Sequence, residues 1–238
     1  MKRSMAVLLA AAFASLAVLP GSGQAPANAP PAQNAPRRVK TKVDGFDLAP
    51  DKASANQIGG ASRGEGTKTL LFAPHKARVY TLQPSFAWKG DPTAIYKFTI
   101  QDTMGSFSWD REVTGTSLAY PADAPPLTPG GTYLWKVAPD SPLLGPPPPA
   151  AIIVVLGGAD RAQIDSGLGQ IQGSGNDADT ARAKYFYDQR LWYDALMAYS
   201  NLIGKNPNQA SLYQMRGTLY DQVPAAEPLA DADFARAN

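Results

Sequence analysis

The chain of 238 residues contains 22 lysines and arginines, 20 aspartates and glutamates, one histidine and no cysteine. The lack of cysteine excludes disulfide bonds, thiolate metal sites and a lipoprotein anchor, and the formal net charge of +2 gives no indication of a nucleic-acid partner. The length is enough for about two small domains.

The start of the chain is predicted to be a secretory signal peptide, residues 1–23. Two basic residues precede an apolar, alanine-rich stretch from Met5 to Leu19, which is short for a membrane span and has the flanks of a signal sequence. We expect cleavage before Gln24 or Asn28, and therefore a periplasmic or secreted protein of the cell envelope with no stable membrane span. An uncleaved membrane anchor is the alternative interpretation.

Residues 24–67 are predicted to be a disordered spacer followed by an extended arm. The spacer is rich in proline, alanine, asparagine and glutamine and cannot bury a core. Residues 37–89 hold 10 basic and 4 acidic side chains, whereas residues 90–238 hold 10 basic and 16 acidic ones. The basic excess begins with a cluster at Arg37, Arg38, Lys40 and Lys42. It indicates either an anionic partner for the arm or a solvated surface.

One motif with a catalytic precedent lies in this arm. The run from Gly60 to Gly64 matches the Gly-x-Ser-x-Gly nucleophile elbow, which needs a preceding strand, a following helix, and an acid and a histidine downstream. Its flanks are glycine-rich and polar, and the only histidine, His75, follows Ser62 by 13 residues. We interpret the motif as a loop. We therefore predict no catalytic, cofactor-binding or metal-binding residues, and no enzymatic activity.

Residues 68–157 have the pattern of a β-sandwich, because short apolar runs alternate with turn residues at the spacing of sandwich strands. The predicted strands are Thr69–Phe72, Arg78–Leu82, Ser85–Trp88, Ala94–Gln101, Ser106–Val113, Leu118–Tyr120, Thr132–Val137 and Ala150–Leu156. Trp88, Trp109 and Trp135 each share a strand face with other large apolar side chains. We therefore place them in the core, and not on a sugar-stacking surface.

The strand Thr132–Val137 indicates which type of sandwich this is. A turn at residues 129–131 leads into alternating Tyr133, Trp135 and Val137, which is the period of a half-buried strand. A Leu-x-Pro-Gly entry followed by such a tyrosine resembles the tyrosine corner of fibronectin-like sandwiches. We expect Tyr133 and Trp135 to be buried, with the hydroxyl of Tyr133 bonded to backbone.

After Gly158 the apolar period becomes helical, and residues 159–238 are predicted to be an α-helical module. The predicted helices cover 159–172, Thr180–Gln189, Leu191–Ile203, Ser211–Gln222 and Ala226–Ala237. Their small and aromatic residues are spaced as in tetratricopeptide repeats, with a period of about 34 residues. Two repeats are too few to cover their own apolar faces. The sandwich, the first helix or a partner must therefore cover the open face.

Aromatic residues of this module are the candidate partner-binding residues. They are Trp192, Tyr193, Tyr213 and Tyr220. Trp192 and Tyr193 are adjacent, and adjacent residues do not face the same side of a helix. We expect one of the two in the core and the other at a surface groove.

Several segments stand out beyond these periodic patterns. They are Gly59–Gly64, Pro84–Trp88, Tyr133 with Trp135, Leu191–Leu196 and Leu219–Val223. Together they resemble an uncharacterised family of exported bacterial proteins, common in cyanobacteria and known only as a domain of unknown function. The Trp-Tyr-Asp-Ala-Leu run is the most specific element, and the resemblance covers residues 59–238. This chain lacks the cysteine that often follows the Ser-Arg-Gly loop. The resemblance implies an envelope location and a two-part architecture, without catalytic residues.

These observations predict an α+β fold, with a fibronectin- or immunoglobulin-like β-sandwich followed by a short tetratricopeptide-like helical module. Because no motif names a reaction, we expect a non-enzymatic envelope protein that binds a protein or peptide through its helices. A glycan- or cell-wall-binding module is the alternative. An exposed, coplanar row of tryptophan and tyrosine on the sandwich would favour that alternative.

Overall fold

The computed structural model describes residues 69–223 and 226–238. The predicted signal peptide, the spacer and arm of residues 24–67, and the motif at Gly60–Gly64 lie outside these residues. The described chain has an α+β fold, in which eight strands form two sheets and five α-helices follow them.

The eight strands form a sheet of three and a sheet of five. In chain order they are β1 Leu70–Ala73, β2 Ala77–Val79, β3 Ser85–Lys89, β4 Ile95–Asp102, β5 Ser108–Thr114, β6 Ser117–Ala119, β7 Thr132–Pro139 and β8 Ala151–Val155. The smaller sheet has the order β1-β3-β6, and the larger has the order β2-β8-β7-β4-β5. All neighbouring pairs are antiparallel except β2 and β8. Each predicted strand has a counterpart, with boundaries that differ by a few residues.

This strand order is that of a fibronectin-like sandwich, and the predicted tyrosine corner is present. Tyr133 on β7 is buried, and its hydroxyl oxygen accepts a hydrogen bond of 2.8 Å from the backbone N–H of Thr128. This bond holds the turn before β7 against the strand that follows it. The prediction for Tyr133 is therefore confirmed.

Aromatic side chains from both sheets meet in the sandwich core. The ring of Phe86 lies 4.7 Å from that of Phe98 and 5.0 Å from that of Trp135, between ring centroids. Trp135 is fully buried, and its indole N–H donates a bond of 2.7 Å to the carbonyl oxygen of Pro74. Trp88 is also buried, and the half-buried Trp109 packs against Phe98. All three tryptophans thus pack in or against the core.

The helices follow the last strand in a continuous series. They are α1 Gly158–Gln170, α2 Asn176–Asp188, α3 Trp192–Lys205, α4 Ala210–Gln222 and α5 Glu227–Ala237. Helix α2 begins four residues before the predicted start, and its first turn contains Asp177 and Asp179, whose charge suits a helix N-terminus. In α3, nine of 14 residues are buried.

Helices α4 and α5 pack closely and share a buried ion pair. Arg216 on α4 donates two hydrogen bonds of 2.7 Å to the carboxylate of Asp233 on α5. Gly217 lies against Phe234, where an added Cβ would be 3.1 Å from the ring. A single apolar core runs from the sandwich into these helices, so the sandwich covers the open face of α3. The tetratricopeptide-like character of the module stays a prediction.

We predict that Trp135→Ala lowers the free energy of unfolding by about 3–5 kcal/mol, the usual effect of removing a large buried aromatic. The substitution also removes the donor to the carbonyl of Pro74. Denaturant unfolding measures the change, and Trp109→Ala is the matched control with a smaller expected loss, because Trp109 is only half-buried. A loss below about 1 kcal/mol for Trp135→Ala would contradict this account of the core.

Candidate functional site

The junction between the sandwich and the helices is formed where the chain crosses from one sheet to the other. Strand β2 in the larger sheet ends at Val79, and strand β3 in the smaller sheet begins at Ser85. Residues 80–84, the crossing segment, lie between them and run alongside α3. Backbone N–H groups in such a segment have no strand partner, and buried ones need a partner from elsewhere.

The carboxylate of Asp194 supplies two of these partners. One oxygen accepts 2.9 Å from the backbone N–H of Tyr80, and the other accepts 3.1 Å from the backbone N–H of Thr81. Asp194 is only 6% exposed and lies in the first turn of α3, where the helix dipole favours a negative charge. The carboxylate therefore binds the crossing segment to the helix.

The neighbouring Tyr193 holds the start of β3 in the same way. The backbone N–H of Ser85 donates to its hydroxyl oxygen at 2.6 Å, and the hydroxyl donates to the carbonyl oxygen of Ser85 at 2.8 Å. Tyr193 is fully buried. The Tyr193 hydroxyl thus bonds the two backbone groups of Ser85 that a neighbouring strand would otherwise bond.

Helix α1 holds the crossing segment from a second direction. The guanidinium of Arg161 donates 2.8 Å to the carbonyl oxygen of Tyr80 and lies 4.4 Å from the centre of its ring. The hydroxyl of Tyr80 donates 2.7 Å to the carboxylate of Asp165. Both the backbone and the side chain of Tyr80 are therefore fixed.

A cleft of about 240 Å³ opens at this junction. Its apolar walls come from Phe186 of α2 and from Met197 and Ala198 of α3. The exposed polar side chains of Gln83 and Asn201 also line it. Tyr80, Thr81, Tyr193 and Asp194 complete the lining. An apolar cleft with a few fixed polar groups is typical of a binding site.

Burial dominates the electrostatics of Asp194. It raises the pKa of this carboxyl from its usual 3.8 to about 6, because the charged form loses its hydration. The N–H groups of Tyr80 and Thr81 and the charge of Arg161 act in the opposite direction, with a smaller effect. Asp194 is therefore a buried carboxyl that titrates near the lower end of the physiological pH range.

The four candidate partner-binding aromatics lie in the core, which corrects the expectation that they offer an exposed surface; their contact with a partner stays a prediction. None of Trp192, Tyr193, Tyr213 and Tyr220 is more than 6% exposed. Trp192 and Tyr193 are both buried although they face apart, because α3 has protein on more than one side. The hydroxyl of Tyr213 donates to the carbonyl of Pro207 at 2.9 Å. Only Tyr193 lines the cleft.

The sequence analysis did not select Tyr80, Asp194 or Asn201. The sequence did contain an indication of the role of Asp194. A carboxylate among large apolar residues at the start of a helix is expected to be buried and to need hydrogen-bond partners. Within the described part of the chain, no helix is long and apolar enough to cross a membrane. Nor do three side chains of histidine, aspartate or glutamate gather there as a possible metal site.

Comparisons with known proteins give one family match and name no activity. A family model described as Domain of Unknown Function (DUF928) matches residues 58–230. No curated protein matches the chain. One similar solved structure is the fn3 domain of the human collagen alpha-1(XX) chain in solution, at 18% identity, 40% coverage of this chain, 82% coverage of that chain and a TM-score of 0.21. The fibronectin-like assignment rests on the strand order and the tyrosine corner.

We predict that Tyr193→Phe lowers the free energy of unfolding by about 1–3 kcal/mol, because it leaves two buried backbone groups of Ser85 without partners. Urea unfolding measures the loss. Tyr185→Phe is the control, since the Tyr185 hydroxyl makes only a long bond of 3.4 Å to the carbonyl of Gln163. Equal stability of the two variants would show that the Ser85 bonds contribute nothing.

Stability should also depend on the protonation of Asp194. Between about pH 4 and pH 6 the folded protein retains a proton that the unfolded chain has lost, so the contribution of this carboxyl to stability falls as pH rises through that window. The expected fall, relative to Asp194→Asn, is up to about 3 kcal/mol. Urea unfolding of both proteins at several pH values measures it. Parallel pH profiles would contradict the raised pKa.

Proposed function

The chain belongs to the family described as Domain of Unknown Function (DUF928), and we propose that it is a non-enzymatic exported scaffold that binds a peptide segment of an envelope protein. The binding site is the cleft between the crossing segment and helices α2 and α3. The observation that carries this proposal is the cleft itself, which combines apolar walls with fixed polar groups at a rigid junction.

The polar groups at the junction are already engaged in structural hydrogen bonds, which supports binding over catalysis. The carboxylate of Asp194 and the hydroxyl of Tyr193 are bonded to backbone groups of the crossing segment and of Ser85. These bonds position the walls of the cleft and keep them in place when a ligand enters. A preorganised surface of this kind reduces the entropy lost on binding.

The dimensions of the cleft indicate what it can hold. About 240 Å³ accommodates one or two side chains, and is too small for a folded domain or a drug-sized ligand, whose pockets begin at about 300 Å³. The exposed Gln83 and Asn201 at its edge can bond the backbone of an extended segment. A peptide that inserts a single anchoring side chain fits both features.

Glycan binding on the sandwich has less support. Stacking on a sugar needs exposed aromatic rings, and Trp88 and Trp135 are buried while Trp109 is half-buried. The exposed large apolar side chains of the described residues are aliphatic. They are Ile95, Met104, Leu143 and Ile152. No observation favours the glycan alternative.

Export and envelope location form part of this proposal and are supported by the sequence. The charged and apolar segments at the start of the chain have the order of a signal peptide. An envelope location places the cleft among exported polypeptides, which are the source of its peptide ligand.

The proposal predicts that blocking the cleft abolishes peptide binding. The exported chain is screened against an array of peptides from envelope proteins of its source organism, and dissociation constants are measured for the peptides retained. Ala198→Trp places a large side chain in the cleft and should weaken binding at least about tenfold. A tenfold change in the dissociation constant corresponds to the loss of one modest contact. The control is Ala232→Trp, which should leave binding unchanged because Ala232 lies on the exposed side of α5.

Two outcomes would contradict the proposal. If no peptide on the array binds, the cleft is not a peptide site. If Ala198→Trp binds the retained peptides as tightly as Ala232→Trp does, binding takes place elsewhere on the protein.

A further inference from the structure

We propose that the cleft is a subsite for a lysine or arginine side chain of a partner polypeptide, with the carboxylate of Asp194 as the counter-ion. This inference rests on the proposed function, because it names the side chain that anchors the peptide in the same cleft. It follows from the charge, the open bonding positions and the walls of the cleft.

The carboxylate of Asp194 makes no close ion pair with the described residues. None of the ion pairs among the described residues includes this carboxylate. The charge of Arg161 stabilises the carboxylate, but its guanidinium is bonded to the carbonyl of Tyr80 and stacked on its ring, without an ion pair to Asp194. A carboxylate that is 6% exposed and unpaired is unfavourable in a protein interior, and a cation entering from the cleft would relieve that cost.

The carboxylate has bonding positions left for a cation. An ionised carboxylate has about four acceptor sites, and here three are used by the backbone N–H groups of Tyr80, Thr81 and Asp194 itself. Asp194 also lines the cleft. A cation can therefore bind the carboxylate without displacing Tyr80 or Thr81, and the junction stays intact when the ligand binds.

The walls suit the stem of a long basic side chain. Phe186, Met197 and Ala198 present apolar surface, which packs against methylene groups while the charged end reaches a polar partner. Asn201 and Gln83 lie at the cleft, and their amide oxygens can accept further hydrogen bonds from an ammonium or guanidinium. The cleft thus matches both parts of a lysine or arginine side chain.

The charge of the surrounding chain favours a basic partner. Residues 90–238, which include the α2 and α3 wall of the cleft but not the crossing segment, hold 16 acidic and 10 basic side chains. Such an excess attracts positively charged segments over distances longer than a contact. A basic segment of a separate exported polypeptide is therefore the occupant to which the proposal commits.

Ligand binding should depend on pH because the cation needs the ionised carboxylate. The groups that face Asp194 are Tyr80 of the crossing segment, Arg161 of α1 and Tyr193 of α3, with Asp165 held by the hydroxyl of Tyr80. The pKa of the Tyr80 hydroxyl is raised by its hydrogen bond to Asp165, and burial raises that of Tyr193, so neither tyrosine titrates in the acidic range. With the pKa of Asp194 near 6, affinity should fall about tenfold between pH 7 and pH 5, as the ionised fraction falls.

The test uses model pentapeptides whose central residue alone differs. The full chain is titrated, with NMR detection of the side-chain amides of Gln83 and Asn201, against acetyl-Ala-Ala-Lys-Ala-Ala-amide, its arginine analogue and its norleucine analogue. Norleucine keeps the apolar stem and removes the charge. We expect the lysine and arginine peptides to bind at least about tenfold more tightly than the norleucine peptide, with the pH dependence given above. Asp194→Asn should abolish this preference for charge.

Other outcomes would overturn the inference. Equal binding of the lysine and norleucine peptides would show an apolar cleft, which leaves the proposed peptide-binding function intact. Failure of all three peptides, while peptides from the array still bind at the cleft, would reject the basic anchor alone. Failure of both sets would reject the proposed function as well.

A further variant tests the source of the basic side chain. The quadruple change Arg37→Gln, Arg38→Gln, Lys40→Gln and Lys42→Gln removes the basic cluster from the arm of this chain. If it leaves the affinity for the lysine peptide unchanged, the cleft is open to a partner, as proposed. If it tightens binding about fivefold or more, the arm of the same chain is the occupant, and the assignment to a separate polypeptide is wrong. If Asp194→Asn fails to fold, the norleucine comparison and the pH profile still decide.

Discussion

Everything at the junction depends on one requirement, which is that buried backbone N–H and C=O groups must have partners. Where the chain crosses between sheets at residues 80–84, the ladders of both sheets are interrupted. Helix α3 meets the requirement with side chains, through Asp194 for the crossing segment and Tyr193 for the start of β3. The sandwich and the helices therefore share hydrogen bonds as well as apolar contacts, and they form one continuous body.

The same arrangement explains how so short a helical module is stable. Two pairs of helices bury too little apolar surface by themselves, but α3 packs against the sandwich on one side and against neighbouring helices on another. At the far end, the ion pair of Arg216 and Asp233 connects α4 to α5. The guanidinium of Arg216 also lies within 6 Å of the ring centres of Tyr213 and Tyr220, at 5.8 and 5.6 Å. The module is thus fixed at both ends, by the sandwich and by a buried charge pair.

The sequence predicted much of the fold because its strands and helices obey local periods. Tyr133 and Trp135 alternate on one strand, and the turn before them contains the tyrosine corner, so burial and bonding could both be inferred. The site could not be inferred, because Asp194 lies 113 and 114 residues from its two partners. For the same reason the sequence did not show that both Trp192 and Tyr193 are buried, although Tyr193 does line the cleft. Helical geometry separates the two faces, but only tertiary packing decides whether both are covered.

The Leu191–Leu196 run, on which the resemblance to this family rests most, has side chains that face inward. In this protein the run builds the junction, because Asp194 and Tyr193 bond the backbone of the crossing segment and of Ser85. Gln83, Met197 and Asn201 line the cleft without bonding the crossing segment to α3. Substitutions at these three positions leave the hydrogen bonds of the junction intact. The ligand of the cleft can therefore change in evolution while the architecture is retained.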